Sequence, residues 1–436
     1  MRILVVGGGG REHALVWKLA QSPHAERIYC APGNAGIARL AECINLRPTD
    51  LDGLANFAES EGVDLTIVGP EAPLVAGIVD RFEARGLPIF GPATDPARIE
   101  GSKIFAKELM LRYGIPTADY WRCDSLEQAH VLVDRYFEDH PGSDTRLVLK
   151  ADGLAAGKGV VVASSREEAH LAVDQMMREK VYGAAGERLV LEEFLEGEEV
   201  SIMAFTDGEN IAVMPPSQDH KRVFDNDGGP NTGGMGAYSP TPSLPASLVS
   251  EAQEHVLKPA VAAIRDLGIP YKGVLYAGLI HTEKGLRVLE FNCRFGDPET
   301  QAILPLLESD LVEVVAATVN CSLDTLKLSW RKGACVCVVA CSGGYPGEYV
   351  AGKLIEGLDE AAAVEGCTLF HAGTREQNGQ IYSDGGRVLG VSAVGEDIAQ
   401  AVQRAYTAMR CIRFEGMHYR HDIAARALRA SKGSSP

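Results

Sequence analysis

Short apolar blocks at 2–6, 27–30 and 65–68 each run into glycine or proline within two residues, and helical patterns occupy 12–21 and 76–85, with a brief strand at 88–90. Apolar runs this short, alternating with helices, predict a parallel, doubly wound sheet. Ligands of such sheets sit beyond the carboxyl ends of the strands, where 7–10, 32–36 and 69–71 fall. A helix over 103–112 then meets the breaker Gly114-Ile115-Pro116. Residues 117–190 read as a small α+β unit with strands at 147–150 and 159–163 joined by a glycine-rich turn. Further strands follow from 191, then a Gly/Pro/Asn loop over 225–239, a helix at 246–267 and a strand pair at 273–280 and 286–292. A fresh βα pattern starts near 333 and closes with a helix at 397–409, leaving a small polar tail at 431–436. The fold class is thus α/β and α+β, multidomain.

Composition narrows the function. The 436 residues suffice for two to four domains, and 46% hydrophobic with 23% charged residues exclude a largely disordered chain. With 42 basic against 59 acidic side chains, the net charge of −17 argues against nucleic acid as the main partner. No apolar run approaches the roughly 18–20 residues that cross a bilayer, and the apolar start is shorter than the ~7 residues of a secretory core. The ten cysteines are scattered. Cys335, Cys337 and Cys341 have a spacing compatible with metal, but one face of a buried strand explains them more simply. A reducing cytoplasm is the expected compartment.

Gly7-Gly8-Gly9-Gly10 after the first strand suggests a dinucleotide fingerprint, but the third glycine of that pattern would fall on Glu12 or His13. The turn still lets a phosphate-bearing substrate approach a helix N-terminus. The stretch from Lys150 through Gly153, Gly157 and Lys158 to Gly159 is one residue too short for a Walker loop and lacks its Ser/Thr. Three glycines and two lysines within ten residues favour a hairpin that lies over nucleotide phosphates, rather than an ordinary one. Glu290 and Asn292 flank Phe291, so strand alternation puts two oxygen donors on one face, about 6.6 Å apart along the chain, a set suited to magnesium. Arg294 follows, placed to meet an anion. Neither His13 nor His220 has a visible partner, and neither is given a catalytic role.

Eight segments in order resemble the phosphoribosylamine–glycine ligase family of ATP-grasp enzymes: GGGGREHAL (7–15), GPEAPLVAGIVD (69–80), GSKIFAKELM (101–110), LKADGLAAGKGVVV (149–162), LEEFLEGEEVS (191–201), SQDHKR (217–222), GPNTGGMGAYSP (229–240) and LEFNCRFGDPETQ (289–301). The resemblance implies a pre-ATP-grasp domain at 1–103, an ATP-grasp module at 104–327 with its lid lobe at about 117–190, and a C-terminal domain at 328–430. It further implies that Lys107 and Lys150 hold ATP phosphates beneath a mobile loop, Gly153–Gly159 with Lys158. Backbone groups of Glu192, Glu193, Phe194 and Leu195 would meet adenine, Glu199 the ribose, and Glu290 and Asn292 Mg²⁺ or Mn²⁺. Many ATP-grasp enzymes carry another glutamate twelve residues earlier, where this chain has Gly278. The implied reaction joins glycine to 5-phosphoribosylamine through glycyl phosphate, and the resemblance implies a monomer with no membrane or nucleic-acid partner. Asp219 is expected at the glycine ammonium, Arg294 at its carboxylate or the moving phosphoryl group, and the phosphoribosyl group near 10–12 and 69–71.

Overall fold

A computed structural model describes residues 1–155 and 158–433. Five parallel strands form the first sheet, in the spatial order Glu42–Cys43, Arg27–Pro32, Arg2–Gly7, Leu65–Val68, Ile89–Phe90. The central strand is apolar throughout because both faces are covered: Ile3 and Val5 enter one core, Leu4 and Val6 another. Chain order reverses beside this strand, and its end, with that of Leu65–Val68, opens towards the rest of the molecule.

The lobe expected as the lid is an antiparallel sheet ordered Tyr120–Cys123, Leu189–Glu193, Leu147–Ala151, Val160–Ala163. Its helices Leu126–Asp139 and Arg166–Val173 start at Ser125 and Ser165, whose side chains cap the amides of Gln128 and Glu168. Alternation sends Leu147, Leu149 and Ala163 into the core under these helices, and Val148, Lys150, Val160 and Val162 to the opposite face. The facing lobe is a second antiparallel sheet, Ile211–Val213, Glu198–Thr206, Gly273–Thr282, Gly285–Asn292.

The stretch expected as a loop over 225–239 is largely paired. Arg222–Phe224 and Gly228–Asn231 make a hairpin, and Gly236–Ser239 is a buried strand beside Ala334–Cys341. Glycine-rich, nonperiodic sequence hides this, because the stabilising partner lies about a hundred residues downstream. That sheet runs Gln218–Asp219, Gly236–Ser239, Ala334–Cys341, Arg387–Gly395, Cys367–His371, so residues inserted between strands Ile211–Val213 and Gly273–Thr282 of the facing lobe contribute strands to the C-terminal sheet. Within Ala334–Cys341, Val336, Val338 and Ala340 face the core shared with helix Ile398–Met409, whereas Cys337 and Cys341 pack with Met235 and Ala237. All ten cysteines are free thiols. No helix among the described residues is long and apolar enough to cross a membrane.

Candidate active site

A cleft of about 800 Å³ lies between the two antiparallel lobes and reaches the first sheet at Arg11, Pro70 and Glu71. Its lid side is organised by one buried carboxylate. Glu192, near the end of strand Leu189–Glu193, lies 3.0 Å from Lys107 Nζ and 2.9 Å from Lys150 Nζ. Lys107 comes from helix Lys103–Arg112, whose N-cap Ser102 also donates to Asp152 Oδ1 at 2.8 Å. Helical spacing puts Lys103 on the same face, and Lys103 lines the cleft. Lys107 also donates to Thr117 Oγ1, and Lys150 to the Leu289 carbonyl of the opposite lobe, at 2.8 and 2.9 Å. Burial holds the Lys107 ammonium down to about 8, against the pull of Glu192.

Gly153, Gly159, Glu193, Phe194, Leu195 and Glu199 line the same cleft. The Glu193 carboxylate turns away to accept the Asp119 N–H at 3.0 Å. Lys158 does not line the cleft, and its ammonium donates instead to the Pro346 carbonyl at 3.1 Å. Gly157 lies outside the described residues.

On the opposite wall, Glu290 and Asn292 face the cleft, as alternation along Gly285–Asn292 requires. Burial opposes ionisation of Glu290, but Lys221, Lys103, Lys150 and Arg294 together hold its carboxyl below the usual range. A carboxylate and an amide oxygen on one face are hard donors, the set a magnesium ion accepts, and among the described residues no hydrogen bond satisfies the Glu290 carboxylate. The residues therefore fit such an ion. Gly278 lies opposite Glu290 in the ladder, and a Cβ there would stand 3.1 Å from Glu290 Cγ. A further carboxylate, Glu299, enters from elsewhere, accepting from Tyr276 Oη at 2.9 Å and Ser201 Oγ at 3.2 Å.

Asp219 sits on the edge strand of the C-terminal sheet, opposite Ala237. Burial, opposed by Lys221 but reinforced by Glu299, Glu199 and Glu290, pushes its carboxyl up to about 7. Lys221 pairs with Glu199 at 2.7 Å. Arg294 is a clamp between units: Glu71 at 3.3 Å, Glu100 at 3.1 Å and Asn292 Oδ1 at 3.1 Å. Burial raises the Glu100 pKa despite Arg294.

The glycine turn is less open than its sequence suggests. Glu12 accepts the Gly9 N–H and pairs with Arg11, each at 2.6 Å. Gly7 has φ +126°, and its missing Cβ leaves space for the Glu12 side chain. His13 has a partner after all: its Nδ1 accepts the His371 N–H at 2.7 Å, and burial takes its pKa down to about 3. The cleft thus unites the expected Lys150, Gly153, Gly159, Glu192 to Leu195, Glu199, Asp219, Glu290, Asn292 and Arg294, with Lys107 behind Glu192. Sequence reasoning missed Glu100, Lys221, Glu299 and Arg387, which pairs with Asp297 at 2.8 Å. Of these, Lys221 and Glu299 stood inside quoted motifs, whereas nothing local marks Glu100 or Arg387.

Three family models match in order: the phosphoribosylglycinamide synthetase N domain over residues 1–100, its ATP-grasp (A) domain over 101–300 and its C domain over 335–426. A phosphoribosylamine–glycine ligase of Caldanaerobacter subterraneus subsp. tengcongensis is 50% identical over 425 residues, covering 98% of this chain and 100% of the relative. The crystal structure of a phosphoribosylamine–glycine ligase from Thermotoga maritima superposes with a TM-score of 0.84 at 31% identity, over 97% of this chain and 100% of that one. A biotin carboxylase domain of 2-oxoglutarate carboxylase from Hydrogenobacter thermophilus, solved with MgADP, shares the fold with a TM-score of 0.74 at 18% identity, covering 96% of this chain and 91% of that one.

Proposed function

The chain belongs to the phosphoribosylglycinamide synthetase family, and from that premise we propose how its residues carry out the reaction. It is an ATP-dependent ligase that joins glycine to 5-phosphoribosylamine in purine biosynthesis. The observation that carries the mechanism is the cleft itself, with two lysines tied to Glu192 on one wall and Glu290 with Asn292 on the other.

A carboxylate is a poor electrophile, so a glycine oxygen first attacks the γ-phosphorus of ATP, breaking its bond to ADP and forming glycyl phosphate. The phosphoribosylamine nitrogen then attacks the acyl carbon, loses a proton and expels phosphate. Lys107 and Lys150 hold the phosphates, with Glu192 setting their positions. The backbone of 192–195 meets adenine and Glu199 the ribose. Glu290 and Asn292 would hold Mg²⁺ or Mn²⁺. When bound, that ion neutralises phosphate charge. Asp219 binds the glycine ammonium, and Arg294 orients Asn292 while facing the glycine carboxylate or the moving phosphoryl group. Gly153 and Gly159 belong to the lid hairpin that shields the acyl phosphate from water. The phosphoribosyl group lies near Arg11 and Glu71, between the first sheet and the module.

In this scheme 1–103 supplies the phosphoribosyl wall, 104–327 the nucleotide cleft, and 328–430 a support for strand Gly236–Ser239, with which Asp219 pairs. The free thiols suit a cytoplasmic enzyme, and a monomer contains every group named. ADP release, measured with glycine and phosphoribosylamine singly and together, tests the reading. Release that needs both substrates supports it; release with neither, or none with both, rejects it.

A further inference from the structure

Arg387 opens strand Arg387–Gly395 of the C-terminal sheet and reaches the cleft, where Gly233 and Asp297 also stand. Its Nη1 donates to the carbonyls of Gly233 and Asp297, the latter at 2.8 Å, and its Nη2 donates to Asp297 Oδ2 at 2.8 Å. Asp297 also accepts from the Gln301 side-chain amide at 2.7 Å. It lies against the glycine turn, with Oδ2 3.8 Å from where a Gly9 Cβ would stand. Burial opposes ionisation of Asp297, but Arg387, Arg11, Gln301 and Arg294 hold its carboxyl below the usual range. Three arginines, one each from the first domain, the facing lobe and the C-terminal segment, thus gather at this end of the cleft.

A guanidinium has five N–H donors and accepts nothing. The contacts above take both hydrogens of Nη1 and one of Nη2. Among the described residues, Nε–H and the second Nη2 hydrogen have no partner. In a planar guanidinium these two lie parallel on one edge, the fork that meets two oxygens of a phosphate or carboxylate. Nε is not a buried orphan, so this edge opens into the cleft. Gly233 keeps it clear, because a Cβ there would stand 3.1–3.4 Å from Cζ, Nη2 and Nε of Arg387. We propose that Arg387 binds the phosphate of phosphoribosylamine through this edge, so that the C-terminal segment supplies part of the substrate site.

The surroundings favour the phosphate over the glycine carboxylate. Helix Gly10–Leu19 starts beside Gly9, and the first amides of a helix have no partner within it, so an anion at the fork also meets the positive end of the helix. Arg11 and Arg294 offset the charge of Asp297, and a dianion gains more from them than a carboxylate does. Asp297 already fixes the plane of the guanidinium, so little side-chain freedom is lost when substrate arrives. The assignment rests on the ligase reading above and names the group that holds one of its substrates.

Ribose 5-phosphate, which carries a hydroxyl where phosphoribosylamine has its amine, is the probe. Its inhibition of substrate-dependent ADP release, measured against phosphoribosylamine, weakens about 10–100-fold in Arg387→Lys, which keeps the charge and loses the fork. KM for phosphoribosylamine rises in the same proportion, while KM for ATP and for glycine stays within about twofold of wild type; a general loss of structure would move all three together. Gly233→Ala keeps Arg387 and crowds the fork. It serves if Arg387→Lys does not fold, and KM for phosphoribosylamine again rises alone. Unchanged inhibition in a folded Arg387→Lys, a rise in KM for glycine instead, or an equal rise for all three substrates overturns the assignment. Wild-type ADP release that needs neither substrate rejects the ligase reading itself.

Discussion

Replacing Glu192 by Gln removes one charge while keeping the side chain's shape, and it strands two buried ammonium groups. At 3.0 and 2.9 Å, an effective dielectric near 20 gives each attraction roughly 5–6 kcal/mol before desolvation is subtracted. Breaking a buried pair usually leaves a net loss of about 3–5 kcal/mol. Lys107 already sits at about 8 because burial outweighs the pull of Glu192. Without that carboxylate, burial and Lys150 act on it together, lowering it by about one to three further pH units. Its amine is then largely neutral at neutral pH and no longer attracts a triphosphate. We expect kcat/KM for ATP to fall by about 10²-fold, or about 2.7 kcal/mol.

The pH profile supplies the check. ATP binding favours the protonated lysine, so wild-type kcat/KM for ATP declines as pH rises through about 8, and the variant declines from a lower pH. Stability moves the other way: between about 8 and 10.5 the unfolded chain holds more protons at this group, so its contribution to stability rises with pH. Initial rates of ADP release across this range, with a urea melt to verify folding, measure both. A folded variant whose ATP profile superposes on wild type refutes the role of Glu192.

Asp219, pushed up to about 7, is neutral below that pH and charged above it, so KM for glycine should fall as pH rises through neutrality at fixed Mg²⁺. Asp219→Asn should flatten that profile and raise KM about tenfold, read from glycine saturation curves. Arg294→Ala leaves Glu71 and Glu100 without their cation; urea unfolding should show a loss of about 3–5 kcal/mol at neutral pH that shrinks in acid, where the carboxyls take up protons. In Gly8→Ala the new Cβ meets the Gly33 carbonyl oxygen at 2.5 Å. The strained turn should cost about 1–3 kcal/mol and raise KM for phosphoribosylamine while leaving KM for ATP unchanged.

The helix over 103–112 and the strand at 65–68 were legible because their periodicity is local. So was the shared face of Glu290 and Asn292, which needs only strand alternation. The 225–239 stretch was not. Its strand Gly236–Ser239 has too little apolar patterning to declare itself and is held by Ala334–Cys341. His13 likewise looked partnerless because His371 lies 358 residues away.

By itself, the sequence determined which residues could bear the chemistry, the order of the strands and helices whose patterning is local, and, through eight ordered motifs, the family resemblance. Those depend on residue type and on spacings of a few positions, which the chain carries openly. Only the tertiary structure decided that Glu192 holds Lys107 and Lys150, that Arg294 clamps Glu71 and Glu100, and that Asp219 sits on the sheet of the C-terminal segment. Such pairings join groups as much as 223 residues apart. They exist because buried charges must find partners once the lobes close, a requirement that selects neighbours in space and leaves no periodic trace along the chain.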